Sequence, residues 1–261
     1  MGSDNVVFPE RRMPYIMERM IEPNPGDRGD GCEFLMLIFK DYDHHPSAGM
    51  TAMATYLIQT LYMRHVIDGN VVVIDPYDMN ASAMKRFWCY YDKNNTCKYL
   101  PSAPVHYSDD DLGEITIPAP EDVEDAPMWK NLCLMIDNNE PIDVLYIEHA
   151  ETLMHASKEV RRWVSKILDY LRDSYPNVRI IMANRSTDGM LVNQRPFIYR
   201  ASRVYYVTQA YCDNQSCYAI VEMKNRYNIV MATPQAARLV SVDSVGSLVW
   251  DSAFHGELTI K

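Results

Sequence analysis

The sequence lacks the features that mark membrane-spanning, zinc-binding and nucleic-acid-binding chains. No apolar run approaches the ~20 residues needed to span a bilayer, and residues 1–9 contain no apolar signal core. The six cysteines form no CxxC pair and no zinc-ligand spacing. The formal net charge is −10, whereas a protein that holds nucleic acid by itself is usually basic. We therefore expect a cytosolic or nuclear protein with reduced thiols, no metal, and at most weak contact with nucleic acid.

The composition is that of an ordinary globular domain. Of the 261 residues, 48% are hydrophobic and 23% are charged, which is ample for a substantial core. Residues 1–31 are rich in Pro, Gly, Arg and Asp, and we expect a flexible or partner-docked arm there. Residues 32–261 are predicted to form a single core domain, with a polar surface insertion at about 92–120.

The apolar pattern predicts an α/β fold. Four short apolar runs indicate strands that are buried on both faces, as in a parallel sheet, at residues 33–39, 70–75, 143–147 and 178–182. Helical spacing predicts helices at residues 48–65, 80–91, about 120–139 and 157–175. Shorter strands in hairpins are predicted at residues 203–209, 218–224 and 229–232. This alternation indicates a mostly parallel sheet flanked by helices, with C-terminal β-hairpins.

The turn between the first strand and the first core helix is a degenerate phosphate-binding loop. Ligands of open α/β sheets bind at the carboxyl ends of the strands, where helix N–H groups are free to hold phosphate. A competent loop reads GxxxxGK[ST]. Residues 44–51 read HHPSAGMT, so Gly49 and Thr51 keep the second glycine and the hydroxyl. His44 replaces the first glycine and Met50 replaces the lysine.

A second segment extends the pattern. Residues 73–77 read VIDPY and span the end of the predicted strand at 70–75 and the two residues after it. Together with the degenerate loop, they resemble the core of the RecA-like family, specifically the eukaryotic recombinases and their paralogues. In that family this strand ends in an acidic residue, which is Asp75 here, and a catalytic glutamate follows two positions later, where this chain has Tyr77.

Two further segments carry the same resemblance in the same order. Residues 144–148 resemble the Walker B strand, with Glu148 in place of aspartate. Residues 179–185 are similar to the strand that ends in Thr-Asn-Gln and opens the family's second DNA-binding loop, and Asn184 matches the asparagine. Residues 200–206 and 222–226 resemble the last core strands, so that the likeness covers about residues 32–232.

The resemblance implies a RecA-like ATPase core whose chemistry is lost. Met50 replaces the lysine that stabilises phosphate, and Tyr77 replaces the glutamate that activates water, so neither task has its usual residue. We therefore expect no catalytic residues, no cofactor and no ATP hydrolysis. Nucleotide binding without turnover through Thr51 and Glu148 stays open, as does a register slip that makes Asp78 the base.

Structural roles are the alternative for each of these positions. Met50 would then face a partner, and Tyr77 would fill the pocket that nucleotide occupies in the family. Glu148 would be a helix-cap acceptor. His44 would be exposed or stacked at an interface.

The segment after the fourth strand is locally basic. Four arginines make this predicted loop basic: Arg185, Arg195, Arg200 and Arg203. The loop touches DNA in the family, and a weak auxiliary DNA contact through Arg185, Arg195 and Arg200 is one interpretation. An ordinary solvated loop is the other, given the acidic total.

RecA-like cores assemble by packing one subunit against the nucleotide face of the next, so the resemblance implies a non-catalytic subunit. One hypothesis is a nuclear partner of an ATP-competent recombinase paralogue, forming a heterodimer that helps to assemble recombinase filaments on single-stranded DNA in homologous recombination. The other is a ring subunit of an Elongator-type accessory complex in tRNA modification. Three features favour the first hypothesis: the likeness of residues 179–185 to the strand that opens the family's second DNA-binding loop, the Walker B-like strand and the basic segment.

Overall fold

A computed structural model describes most of the predicted core. The described residues are 14–22, 33–40, 49–64, 66–75, 105–107, 134–138, 141–150, 168–186, 191–212, 215–231, 233–241, 248–251 and 258–260. The bounded helices are α1 (Tyr15–Ile21), α2 (Met50–Met63) and α3 (Leu191–Arg200). Residues 134–138 and 168–174 are also helical. The strands are β1 (Phe34–Lys40), β2 (Asn70–Ile74), β3 (Val105–Tyr107), β4 (Ile142–Ile147), β5 (Arg179–Ser186), β6 (Arg203–Cys212), β7 (Gln215–Asn225), β8 (Gln235–Ser241), β9 (Leu248–Asp251) and β10 (Leu258–Ile260).

The strands form one mixed sheet in the order β3-β2-β4-β5-β1-β6-β7-β8-β9, and β10 pairs with β6. Pairing is parallel from β3 to β6. It is antiparallel from β6 onward and between β10 and β6. The predicted mostly parallel sheet with C-terminal hairpins is therefore confirmed.

The central strand β1 is apolar on both faces because helices cover both. Its side chains alternate between two core clusters, with Met36 and Ile38 on one face and Leu35 and Leu37 on the other. The second face is covered by α1 and α2. The apolar residues of α2 recur at helical spacing and are buried: Met53, Ala54, Leu57, Ile58 and Leu61. The first face is covered by α3 and by helical residues 168–174.

The neighbouring strands β1 and β5 form a switch point, where the connections leaving the two strands run to opposite sides of the sheet. The connection leaving β1 leads to β2 on one side, whereas the connection leaving β5 leads to β6 on the other. The carboxyl ends of the strands beside such a switch point are where open α/β sheets bind ligands. In this fold a ligand site is therefore expected among the residues that follow β1, β2, β4 and β5.

Helix α1 corrects part of the predicted flexible arm. Its residues Ile16, Met17 and Met20 are buried in the α2-side core. The buried guanidinium of Arg203 in β6 donates hydrogen bonds to the carbonyls of Met20, at 3.0 Å, and of Glu22, at 2.6 Å. Apolar burial and these bonds to the helix end make α1 a part of the fold.

Two other predictions near the carboxyl end of β5 and beyond were wrong. The segment after β5, predicted as a loop, contains α3, which forms because Phe197 can bury its ring in the core despite Pro196 within the helix. Residues 229–231, predicted as a strand, are irregular, and β8 is the strand that follows β7.

The predicted helix at 80–91 lies outside the described residues, as does the insertion at 92–120 apart from the edge strand β3. No helix within the described ranges is both long enough and apolar enough to cross a membrane. Cys212 and Cys217 are free and buried.

Candidate functional site at the carboxyl edge of the sheet

Helix α2 is preceded by Gly49, where the backbone conformation favours glycine. Gly49 is the N-cap residue, with φ 102° and ψ −7°. This is a left-handed backbone conformation that residues other than glycine adopt only with strain. Its carbonyl accepts the hydrogen bond from the Met53 amide at 2.8 Å. A Cβ at this position would lie 2.7 Å from the hydroxyl oxygen of Tyr218, which projects from β7. Conformation and space together therefore disfavour a side chain here.

Met50, at the position of the phosphate-binding lysine, faces the interior of this chain. Only 1% of its surface is exposed, and it belongs to the apolar cluster that joins α1, α2 and β1. The interpretation of Met50 as a partner-facing residue was therefore wrong. Since an apolar side chain in the core offers phosphate no positive charge, this position cannot perform the lysine's task.

Thr51, at the position of the magnesium-binding hydroxyl, is hydrogen-bonded to the Walker B-like residue. Its Oγ1 donates to Oε1 of Glu148. Glu148 follows β4 and is fully buried, and its amide donates to the carbonyl of Ile74 at 2.8 Å. The next residue, His149, adopts φ 52° and is also buried. Glu148 thus accepts a hydrogen bond from a side chain in the first turn of α2, and its role as a helix-cap acceptor for backbone N–H groups stays a prediction.

Asp75 places a second buried carboxyl group beside Glu148. It follows β2 and has no exposed surface. Burial raises the pKa of Glu148 to about 7, the hydrogen bond from Thr51 opposes this rise, and the negative charge of Asp75 adds to it. The carboxyl of Glu148 therefore titrates near neutral pH.

Asn184, the fourth predicted member, lies on the other face of the sheet. Strand alternation in β5 puts it on the side of Met182, beneath α3, whereas Thr51 and Glu148 meet on the α2 side. Its side chain is buried, and within the described parts of the chain its Oδ1 accepts no hydrogen bond. The side-chain amide of Gln194 in α3 donates to the Arg185 carbonyl at 3.3 Å. The structure therefore brings Thr51, Glu148 and Asp75 together, without Asn184.

His44 and Tyr77, the remaining predicted members of the degenerate nucleotide site, lie outside the described residues, as does Asp78. Over the ranges that the structure describes, no group of three or more His, Cys, Asp or Glu side chains is arranged to hold a metal ion.

The basic residues at the end of β5 and beyond were predicted to lie on a loop, and this prediction was wrong. Arg185 belongs to β5 and is half-buried, and Arg195 is exposed on α3. Arg200, at the end of α3, donates to both carboxylate oxygens of Asp169 at 2.7–2.9 Å and to the Pro196 carbonyl at 2.9 Å. Its charge is already compensated within the chain, which leaves Arg195 as the exposed member of the predicted set.

A buried polar network surrounds Glu222 in β7, and it was not predicted from the sequence. Its Oε2 accepts from Arg19 of α1 at 2.9 Å and from the Met231 amide at 2.7 Å. Its Oε1 accepts from the hydroxyl of Tyr205 at 2.9 Å and from the side-chain amide of Asn225 at 2.8 Å. Glu222 itself was the signal in the sequence, because it stands at a core-facing position of a strand whose side chains alternate between core and solvent.

Comparison with known proteins supports the fold. No protein-family model and no curated protein matches this chain. A solved structure of a KaiC-like protein from the hyperthermophilic archaeon Pyrococcus horikoshii is similar, with a TM-score of 0.54 and 12% sequence identity. The match covers 92% of this chain and 98% of that one. With its switch-point topology and its C-terminal antiparallel strands, the chain therefore has the α/β ATPase fold of KaiC-like and RecA-like proteins.

Proposed function

We propose that this chain is a non-catalytic RecA-fold subunit that acts by pairing with an ATP-competent recombinase paralogue. In this proposal the pair helps to assemble or remodel recombinase filaments on single-stranded DNA during homologous recombination in the nucleus. The chain supplies shape and surface, and the partner supplies nucleotide chemistry.

One observation carries the proposal: at the start of α2, each side chain that should meet nucleotide is engaged within the chain. Met50 is buried in the core, and the Thr51 hydroxyl is bound to Glu148. A magnesium ion would have to displace that hydrogen bond, and a γ-phosphate would find no cation at position 50. Phosphoryl transfer depends on both kinds of positioning.

The retained fold supports an assembly role. The strand ends and the first turn of α2 keep their arrangement although the lysine is absent. A subunit of this shape can complete an interface with a neighbour of the same fold without taking part in hydrolysis. Selection for an interface explains why the architecture persists when the chemistry does not.

Direct contact with DNA is expected to be weak or to pass through the partner. The net charge of −10 opposes approach to phosphate, and Arg200 is already paired with Asp169. Arg195 is the exposed candidate on α3. Charge reversal by Arg195→Glu should leave DNA binding by the assembled pair unchanged within about twofold, because one exposed contact contributes little. A loss of more than tenfold at constant salt would instead establish a direct contact.

The pairing is tested by affinity purification of the tagged chain from its native cells, followed by mass spectrometry. We expect near-equimolar recovery of a protein with intact phosphate-loop lysine and recombinase motifs. Recovery of tRNA-modification subunits would instead assign the chain to an Elongator-type ring. If neither is recovered, the pairing proposal fails.

A further inference from the structure

The exposed side of helix α3 combines an aromatic ring with a positive charge. Arg195 and Tyr199 are four positions apart on this helix, so their side chains are neighbours on its surface. Arg195 is exposed, and Tyr199 is 72% exposed. Single exposed apolar residues are common, so the ring gains meaning only from the charged groups around it.

The end of β7 places two further cations beside the end of α3. The Lys224 ammonium donates to the carbonyls of Ile198 and Tyr199, both at 2.8 Å, where the last turn of a helix leaves backbone acceptors without partners. Arg226, which follows β7, is exposed, and its amide donates to the Ser202 carbonyl at 2.9 Å. The name α3 patch is used below for four residues: Arg195, Tyr199, Lys224 and Arg226.

The cations of the α3 patch have no carboxylate partner among the described residues. None of Arg195, Lys224 and Arg226 takes part in an ion pair there. Burial lowers the pKa of Lys224, and the positive charge of the nearby Arg226 lowers it further. Like charges that are held near each other repel, so an anion bound between them relieves that repulsion.

The acidic residues on the helical segment next to α3 do not neutralise the patch. Asp169 binds Arg200 at 2.7 Å, and Asp173 binds Arg172 at 3.1 Å. These two carboxylates and two guanidinium groups cancel each other's charge. The α3 patch is therefore locally positive, although the whole chain is acidic.

A small positive surface with an exposed ring fits a short acidic peptide. We infer that the α3 patch binds a carboxylate-rich segment of a partner protein, with an apolar side chain of that segment packed on the Tyr199 ring. Arginine pairs with carboxylates through bidentate hydrogen bonds, and a tyrosine ring supplies contact area at low entropic cost. The inference goes beyond the proposed recombination role, since α3 and α2 cover opposite faces of the sheet.

The size of the patch favours a peptide over a nucleic acid. At physiological ionic strength a charge acts over about 8 Å, so a short segment responds mainly to the cations that it contacts. Proteins that hold nucleic acid through its backbone typically neutralise about 6–10 phosphates. The α3 patch offers only Arg195, Lys224 and Arg226, which a peptide with a few carboxylates can match.

The test is binding of a labelled synthetic peptide to the full-length chain, measured by fluorescence anisotropy. Glutamates flank one tryptophan in this peptide, and glutamine replaces each glutamate in the control peptide. The patch variant is Arg195→Gln/Arg226→Gln. The matched control variant, Arg64→Gln/Arg238→Gln, removes two charges at the end of α2 and on β8. Thermal unfolding checks that each variant is folded.

We expect the glutamate peptide to bind the wild type, and more weakly at high salt, because salt screens exposed charges. The patch variant should lose about tenfold in affinity, since two charge contacts are removed, whereas the control variant should stay within about twofold. Tyr199→Ala should weaken binding about threefold, and Tyr199→Phe, which keeps the ring, should not.

Several results would overturn the inference. They are no binding of the glutamate peptide, equal binding of the glutamine peptide, and equal affinity of the patch and control variants. A single-stranded oligonucleotide that binds more tightly than the peptide, and is lost in the patch variant, would make the patch a nucleic-acid site instead. A dimer in sedimentation that is lost in the patch variant would assign the patch to self-association.

The acidic run at residues 109–111 lies outside the described residues and gives one more control. If this run occupied the patch, Asp109→Asn/Asp110→Asn/Asp111→Asn would raise the affinity for the peptide by more than about threefold. That result would replace the partner segment by an internal one. We expect unchanged affinity.

Discussion

The hydroxyl of Thr51 donates a hydrogen bond to the buried carboxylate of Glu148, so the first turn of α2 and the end of β4 are joined directly. This contact joins the two residues that stand at the positions of the phosphate-loop hydroxyl and the Walker B acid. Its energetics can be measured.

Glu148 should make the stability of the protein depend on pH. Its pKa is raised by burial from 4.5 to about 7, so the folded state binds a proton that the unfolded state has released. The resulting stability is full below about pH 4.5 and is lost as the pH rises through 7. Relative to Glu148→Gln, which cannot ionise, the wild type should therefore lose roughly 2–3 kcal/mol of unfolding free energy between pH 5 and pH 8.

Urea titrations at a series of pH values test this, with the exposed Glu22→Gln as control. Parallel stability curves for the wild type and Glu148→Gln would show that the buried carboxyl does not titrate in this range.

Restoring the missing lysine should damage the fold without restoring activity. Met50→Lys introduces an amine at a buried position in the core and at the positive end of the α2 dipole. We expect a loss of at least about 2 kcal/mol of unfolding free energy, compared with less than about 1.5 kcal/mol for Met50→Leu. ATP turnover by Met50→Lys should stay at background, and a stable, ATP-hydrolysing variant would contradict this account.

Gly49→Ala should be destabilising for two separable reasons. The backbone φ of 102° costs a non-glycine residue about 1–2 kcal/mol, and the added methyl group would meet the Tyr218 hydroxyl at 2.7 Å. Adding Tyr218→Phe removes that oxygen, so the double variant should recover part of the loss but not the backbone cost. Strictly additive effects in a double-mutant cycle would show that the two positions are not in contact.

The Arg19–Glu222 pair should be far more important for stability than an exposed pair. Arg19→Met leaves a buried carboxylate without its cation, which costs about 3–5 kcal/mol in comparable cases. The exposed pair of Arg64 and Glu18, at 3.2 Å, is the matched control, and Arg64→Met should cost less than about 1 kcal/mol. Equal effects in urea denaturation would contradict the buried network.

The pH dependence of this pair has the opposite sign to that of Glu148. Burial on its own raises the pKa of Glu222, but hydrogen bonds from Asn225, Met231, Arg19 and Tyr205 outweigh it and hold the pKa below its ordinary value. The stability that Glu222 contributes is therefore present above its unfolded pKa and is lost as the pH falls through its folded pKa.

The parallel core could be predicted from the sequence because its central strands contain continuous apolar runs. Residues 34–39 and 144–147 are such runs, and the alternation with helices leaves few topologies. The phosphate-loop pattern placed Gly49 in the turn before the first core helix, whereas the apolar spacing started that helix at residue 48, before the glycine.

Other features depend on tertiary contacts that no local pattern reports. Helix α1 is short, and it is held by Arg203, almost two hundred positions away in the chain. Helix α3 contains Pro196 and forms because Phe197 is buried against the sheet. Asn184 matched a family motif, but strand alternation, which depends on where β5 begins, decides the face on which it lies.

The central claim is that this chain pairs with an ATP-competent paralogue and contributes no turnover of its own. The most direct test is ATP hydrolysis by the purified pair, in which the partner's phosphate-loop lysine has been changed to alanine and this chain is wild type. The account predicts that the pair still forms and that turnover falls to background. Turnover that persists in that pair, or in this chain alone, would contradict it.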